Sequence, residues 1–164
     1  MECEIVKLDQ LSGSKTTIYS VLIIGENKTL FDIFIEENKG KFEKEINDIS
    51  KRLLVIANTT GARDHFFKLN EGNIGDGIAA LYDNPNSNLR LYCIKYGNGI
   101  VLLGGGGFKS KSIRAFQENP KLKSENYLLR EISKQITQKM RDKDLNFSQD
   151  YLEFEGDFNL EIFT

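Results

Sequence analysis

Leu89-Arg90-Leu91-Tyr92-Cys93-Ile94-Lys95-Tyr96-Gly97-Asn98-Gly99-Ile100-Val101-Leu102-Leu103 is the stretch that decides the fold. Two runs of apolar, β-branched and aromatic residues flank a Gly-Asn-Gly break, which predicts a β-hairpin. Side chains alternate across a strand, so Arg90, Tyr92 and Ile94 fall on one face and Leu89, Leu91 and Cys93 on the other. A two-residue turn at Asn98-Gly99 sets Arg90 opposite Gly107, and one at Gly97-Asn98 sets it opposite Gly105. In either register the arginine faces a residue without a side chain, and opposed residues share a face. The expectation is an open patch with a guanidinium at one side, Tyr92 beside it, and Lys109 and Lys111 at the rim.

That patch suits a phosphodiester. An arginine offers a planar, permanently charged fork to phosphate and can stabilise the extra charge of a phosphorane. Tyr92 could stack on a base or orient a proton, and the competing reading packs it against a helix. Histidine is the residue type most often used for acid–base catalysis, which makes His65 a candidate. A single histidine at a strand start is more often a packing residue, and nothing in the spacing sets it beside Arg90.

Working outward, residues 63–103 carry a period of two. His65 to Leu69, Ile78 to Tyr82, Leu89 to Tyr96 and Ile100 to Leu103 read as four strands joined by short turns, an antiparallel meander. Upstream, residues 2–8 and 16–24 read as a hairpin around Ser12-Gly13-Ser14. Thr29 and Asp32 resemble a capping box. A helix follows, Gly40 breaks it, and a second helix carries Phe42, Ile46, Ile49, Leu53 and Ile56 in one apolar stripe, read as core. A third helix is expected from Ser124 through Met140. In the tail, Leu152, Phe154, Phe158, Leu160 and Ile162 share parity, as an added edge strand requires.

The expected fold class is therefore α+β, an antiparallel sheet packed by two N-terminal helices and one C-terminal helix. The chain reads as a single domain over 1–164: an added hairpin at 1–25, a core at 29–141 and an acidic extension at 142–164. With 164 residues such a domain buries roughly 70% of its unfolded surface.

Composition limits the function classes. Two distant cysteines and one histidine give no metal-type spacing, so no metal or small-molecule cofactor is expected. No segment approaches a membrane span, and the N-terminus lacks a signal-peptide pattern, which makes the cytoplasm the expected compartment. The net charge of −2 conceals a division. Residues 61–141 hold 13 basic and 7 acidic side chains, whereas 142–164 hold 1 and 7. An acidic tail could mask the basic centre or simply protect a sheet edge. The glycine runs 72–77 and 104–107 match neither a dinucleotide fingerprint nor a P-loop.

The order of elements, with Leu89 to Leu103 and Phe108-Lys109-Ser110-Lys111, resembles the RelE/ParE toxin superfamily, in particular its HigB-like, phage-derived branch. His65-Phe66-Phe67-Lys68-Leu69 is similar to the first meander strand of that family. The resemblance implies an RNA-cleaving toxin, acting free or on the ribosome, whose substrate 2′-hydroxyl attacks the adjacent phosphate. It also implies a cognate antitoxin that carries a helix-turn-helix. Arg90 matches the strand arginine, and Lys109 and Lys111 match the basic stretch after the last strand; Tyr92 and His65 complete the candidate set. Two departures stand out. Gly104-Gly105 replaces the histidine of many HigB-like members, and Ile78-Ala79-Ala80-Leu81 lacks the lysines RelE uses. Those departures favour an alternative of the same fold without chemistry: a ParE-like gyrase inhibitor or an inactive regulator.

Overall fold

The computed structural model describes residues 1–81, 87–109 and 119–163. The meander is present, with β5 at Ile78–Leu81, β6 at Leu89–Tyr96 and β7 at Ile100–Phe108, preceded by a two-residue β4 at Phe67–Lys68. The N-terminal hairpin is also present, as β1 at Glu2–Lys7 and β2 at Thr17–Ile23, with a short β3 at Lys28–Thr29 pairing back onto β2.

The sheet is mixed, not purely antiparallel. β2 lies parallel to β7, with Thr17 against Ile100 and Ser20 against Leu103. The N-terminal hairpin is therefore no appendage. It extends the meander, and β2 and β7 are covered on both faces as interior parallel strands require. On the outer side of β1 runs β10, Asn159–Glu161, so the acidic tail ends as an edge strand. Ahead of β10 in the chain, β8 at Leu145–Phe147 and β9 at Phe154–Gly156 form a separate hairpin.

One helix, not two, precedes the meander. α1 spans Leu30–Val55 and starts at the expected capping box: Thr29 Oγ1 accepts from Asp32 N–H at 3.0 Å, and Asp32 Oδ2 accepts from Thr29 N–H at 2.9 Å. Gly40 does not end the helix. The rod kinks at Phe42, whose φ of −127° and ψ of 39° are non-helical, and continues beyond it. One wide turn of π-helix, Ile56–Thr60, then leads to Gly61. α2 spans Pro120–Arg141 and begins a turn before the expected Ser124. Asn119 is the cap, accepting from Leu122 N–H, and Pro120 occupies the first turn, where its missing N–H costs nothing. The segment expected as a strand from His65 begins as a 3₁₀ turn over Asp64–Phe66. Tyr82, Lys111 and residues 83–86 of the turn expected over 83–88 lie outside the described residues.

Three layers result. α1 covers one face of the sheet, where Ile46, Ile49, Leu53 and Ile56 of its stripe pack with Leu89, Leu91, Cys93, Val101 and Leu103. α2 covers the other, where Leu122, Leu129, Ile132 and Ile136 pack with Tyr92, Ile94, Ile100 and Leu102. Among the described residues, no helix is long and apolar enough to cross a membrane.

Candidate functional site

The β6–β7 hairpin holds neither expected two-residue turn. Tyr96 pairs with Ile100, leaving the three residues Gly97-Asn98-Gly99 as the connection, with Gly97 at φ 60°. Pairing continues to Cys93 and Leu103, and then Gly104 and Gly105 together stand against Tyr92 before Leu91 meets Gly106. This is a β-bulge on β7, the extra residue supplied by glycines. It shifts the register by one and brings Arg90 opposite Gly107.

The glycine ribbon is not open, which corrects the expected patch. α2 lies on it. A Cβ at Gly104 would sit 2.9 Å from Leu129 Cδ2, one at Gly105 would run into the Glu125 carboxylate, and one at Gly107 would lie 3.2 Å from Lys121 Cγ. The side-chain-free strip is what lets the helix approach so closely.

Arg90 is therefore mostly covered, with its side chain 14% exposed, and its Nη1 lies 3.8 Å from Glu71 Oε1, itself 21% exposed. Tyr92 is fully buried, and its hydroxyl finds no hydrogen-bond partner among the described residues. Burial pushes that phenol up from its ordinary pKa, while the Arg90 charge beside it pulls the other way. Glu71 is held in place from α2. Asn126, buried, donates from Nδ2 to Glu71 O at 2.9 Å and accepts from Arg130 Nε at 2.7 Å. Arg130 reaches Glu71 O at 3.4 Å and Asn73 Oδ1 at 3.5 Å through its two terminal nitrogens. Its guanidinium carbon lies 4.8 Å from the Tyr127 ring centroid. Arg90, Glu71, Tyr92, Asn126 and Arg130 thus converge where the start of β6 meets the loop before β5 and the first half of α2.

The remaining sequence candidates divide. Lys109 follows β7 at the same end of the hairpin, its amide donating to Asn88 O at 2.8 Å. His65 is exposed and leans on Phe66, ring centroids 4.2 Å apart. Its neighbour Asp64 pairs with Lys95, five residues along β6 from Arg90, or ~17 Å at ~3.3 Å per residue. His65 is not at the cluster. The tail does not mask it either, since Glu153 pairs with Lys7 and Asp157 with Lys139, on the β1 and β10 side of the sheet.

Sequence reasoning missed Glu71, Asn126 and the role of Arg130. The available signals were weak. Asn70-Glu71-Gly72 looks like ordinary loop, although Asn70 takes a left-handed φ of 61° that turns Glu71 toward Arg90. Asn126 and Arg130 are four residues apart on one helix face, but their target is a loop carbonyl 55 residues away. A search of family models, of curated proteins and of solved structures returned no match to the chain.

Proposed function

We propose that the chain is a RelE-like toxin of the HigB-like branch and cuts RNA at the Arg90 cluster. The observation that carries this reading is a guanidinium and a carboxylate 3.8 Å apart, neither wholly covered, with a second guanidinium anchored beside them. RNA cleavage by the substrate's own 2′-hydroxyl needs those parts. Glu71 takes the 2′-hydroxyl proton as oxygen attacks phosphorus, and Arg90 with Arg130 shares the charge gathering on the phosphorane. The bond from phosphorus to the 5′-oxygen then breaks, giving a cyclic phosphate and a 5′-hydroxyl that takes its proton from water, and the hydroxide left behind recovers the proton held on Glu71. Tyr92 is a positioning residue behind Arg90, and Lys109 adds charge toward a neighbouring phosphate. Lys111 would extend that charge. No metal or other cofactor takes part, and the compartment is the cytoplasm, where RNA and an antitoxin carrying a helix-turn-helix are met.

Induced expression tests the reading. It should arrest growth and shorten transcripts, and Arg90→Ala and Glu71→Gln, with folding verified by circular dichroism, should relieve both effects. Undiminished toxicity in Arg90→Ala would remove Arg90 from the site.

A second reading keeps the fold without the chemistry, as a gyrase-inhibiting or regulatory binding protein. The close cover of α2 over Gly104 to Gly107 favours it, because little of Tyr92 or Arg90 is left for a substrate to touch. Intact transcripts together with DNA damage after induction would select it over RNA cutting.

A further inference from the structure

A groove of 790 Å³ runs along the outer face of α2, between the loop at Asn73–Asp76 and the chain following β10. Arg130, Lys134 and Arg141 line it, with Tyr127 at one end and Phe163 on the far wall. Lys123, Tyr127, Arg130, Lys134 and Arg141 are spaced by four, three, four and seven residues, which sets them on one side of the helix. The groove also joins the candidate site directly, because Arg130 reaches from it to the backbone oxygen of Glu71.

Among the described residues, the acidic groups of the groove compete only weakly for Lys134 and Arg141. Asp76 spends its carboxylate on the backbone amides of Asn73 and Ile78, at 2.6 and 3.0 Å. Glu131 meets Lys134 at 3.5 Å in a pair whose side chains are 48% and 76% exposed, and such pairs contribute little. Glu161 stands on the far wall. Tyr127 is 43% exposed, with the Lys123 ammonium 5.6 Å and the Arg130 guanidinium carbon 4.8 Å from its ring centre. An exposed aromatic flanked by two cations, followed by further cations along one line, matches a single strand: a base stacks on the ring and successive phosphates follow the charges.

We propose that this groove carries the single-stranded RNA flanking the cut, with a base on Tyr127 and phosphates against Lys134 and Arg141. The proposal rests on the RNA-cutting reading and extends it from the cleaved bond to its neighbours. The test is the affinity of the full chain for a 2′-O-methyl oligonucleotide, which cannot be cleaved because its nucleophile is capped. Lys134→Glu combined with Arg141→Glu should weaken binding at least tenfold at 50 mM salt, and Tyr127→Ala about fivefold or more. The slope of log affinity against log salt should flatten by about 1.4, since each single-strand phosphate contact is worth ~0.7. Lys51→Glu, on the exposed side of α1, should change neither quantity.

Unchanged affinity and slope in the double variant, with the wild type binding well, overturns the groove while leaving the Arg90 site standing. Failure of the wild type to bind the oligonucleotide, with transcripts intact in cells, overturns both. Retained RNA binding in the double variant, alongside loss of a co-purifying protein, overturns the proposal in favour of a protein-docking groove.

Discussion

The carboxamide of Gln135 forms two hydrogen bonds to Glu161, accepting from its backbone N–H at 2.6 Å and donating to its carbonyl oxygen. Lys139 Nζ adds a third bond from the same helix, to Asn159 O at 2.7 Å. Side chains of α2 therefore fill the hydrogen-bonding positions that a further strand would take along β10. Gln135→Ala should cost about 1 kcal/mol and leave an outer edge free to template another chain. Sedimentation velocity should show self-association rising with concentration. A variant that stays monomeric throughout would show that the shield does nothing.

Three of the four glycines of β7, Gly104, Gly106 and Gly107, should differ in their tolerance of a methyl group. A Cβ at Gly106 runs into the backbone oxygen of Arg90, and backbone across a bulge cannot step aside. At Gly104 it meets the Leu129 side chain in a packed layer, and at Gly107 the flexible stem of Lys121. Alanine substitution should therefore be worst at Gly106, intermediate at Gly104 and mildest at Gly107, with the first two costing ~1–3 kcal/mol. Urea denaturation of the three variants reads the order directly. A Gly107 variant less stable than the Gly106 variant would contradict it.

Cys93 lies fully buried on the α1 face, and burial pushes its thiol up to about 12. At pH 8 about one such thiol in ten thousand is ionised, and the thiolate is the reactive form. Iodoacetamide should leave Cys93 unmodified in the native protein and label it quickly in denaturant, as mass spectrometry would show. Fast labelling under native conditions would mean that the middle of the sheet opens.

Acid should loosen the junction between α2 and the tail. The hydrogen bond from Lys139 holds the Asp157 carboxyl below its usual 3.8, with help from the Asn159 amide. A depressed carboxyl stabilises the fold fully above its ordinary value and loses that contribution as pH falls through the lowered one. Asp157→Asn should thus flatten the fall of the urea midpoint between pH 4 and pH 2 and leave the alkaline side unchanged. Lys7, raised mainly by its hydrogen bond to Glu153, acts with the opposite sign, its contribution fading as pH climbs past 10.5.

Local signals in the sequence were reliable where the partner was near in the chain. The Thr29–Asp32 box, the Phe42 to Ile56 stripe, the N-terminal hairpin and the bounds of β6 all follow from spacing over a few residues. The errors came from contacts between distant segments. No pattern around Thr17 announces a parallel partner at Ile100. The run Gly104 to Gly107 reads as an empty strip until α2 is set on it, and then it becomes a packing surface. Arg90 was expected opposite Gly105 or Gly107, according to which two-residue turn formed, and it lies opposite Gly107. It arrives there through a three-residue turn and a bulge, two one-residue departures from the expected ladder. Glu71 was invisible for a related reason, since a loop carboxylate shows its role only once Asn126 and Arg130 fix the loop from another element.

The parallel pairing of β2 with β7 sets a timetable for synthesis. Ser20 finds its partner at Leu103, 83 residues downstream. At ~5–20 residues per second the nascent hairpin waits several seconds with one side bare. Local helices and turns form in far less time, so closure of the sheet through its middle is the late event in folding. A chain stalled before Ile100 has nothing to complete β2, and such a fragment is a natural substrate for chaperones.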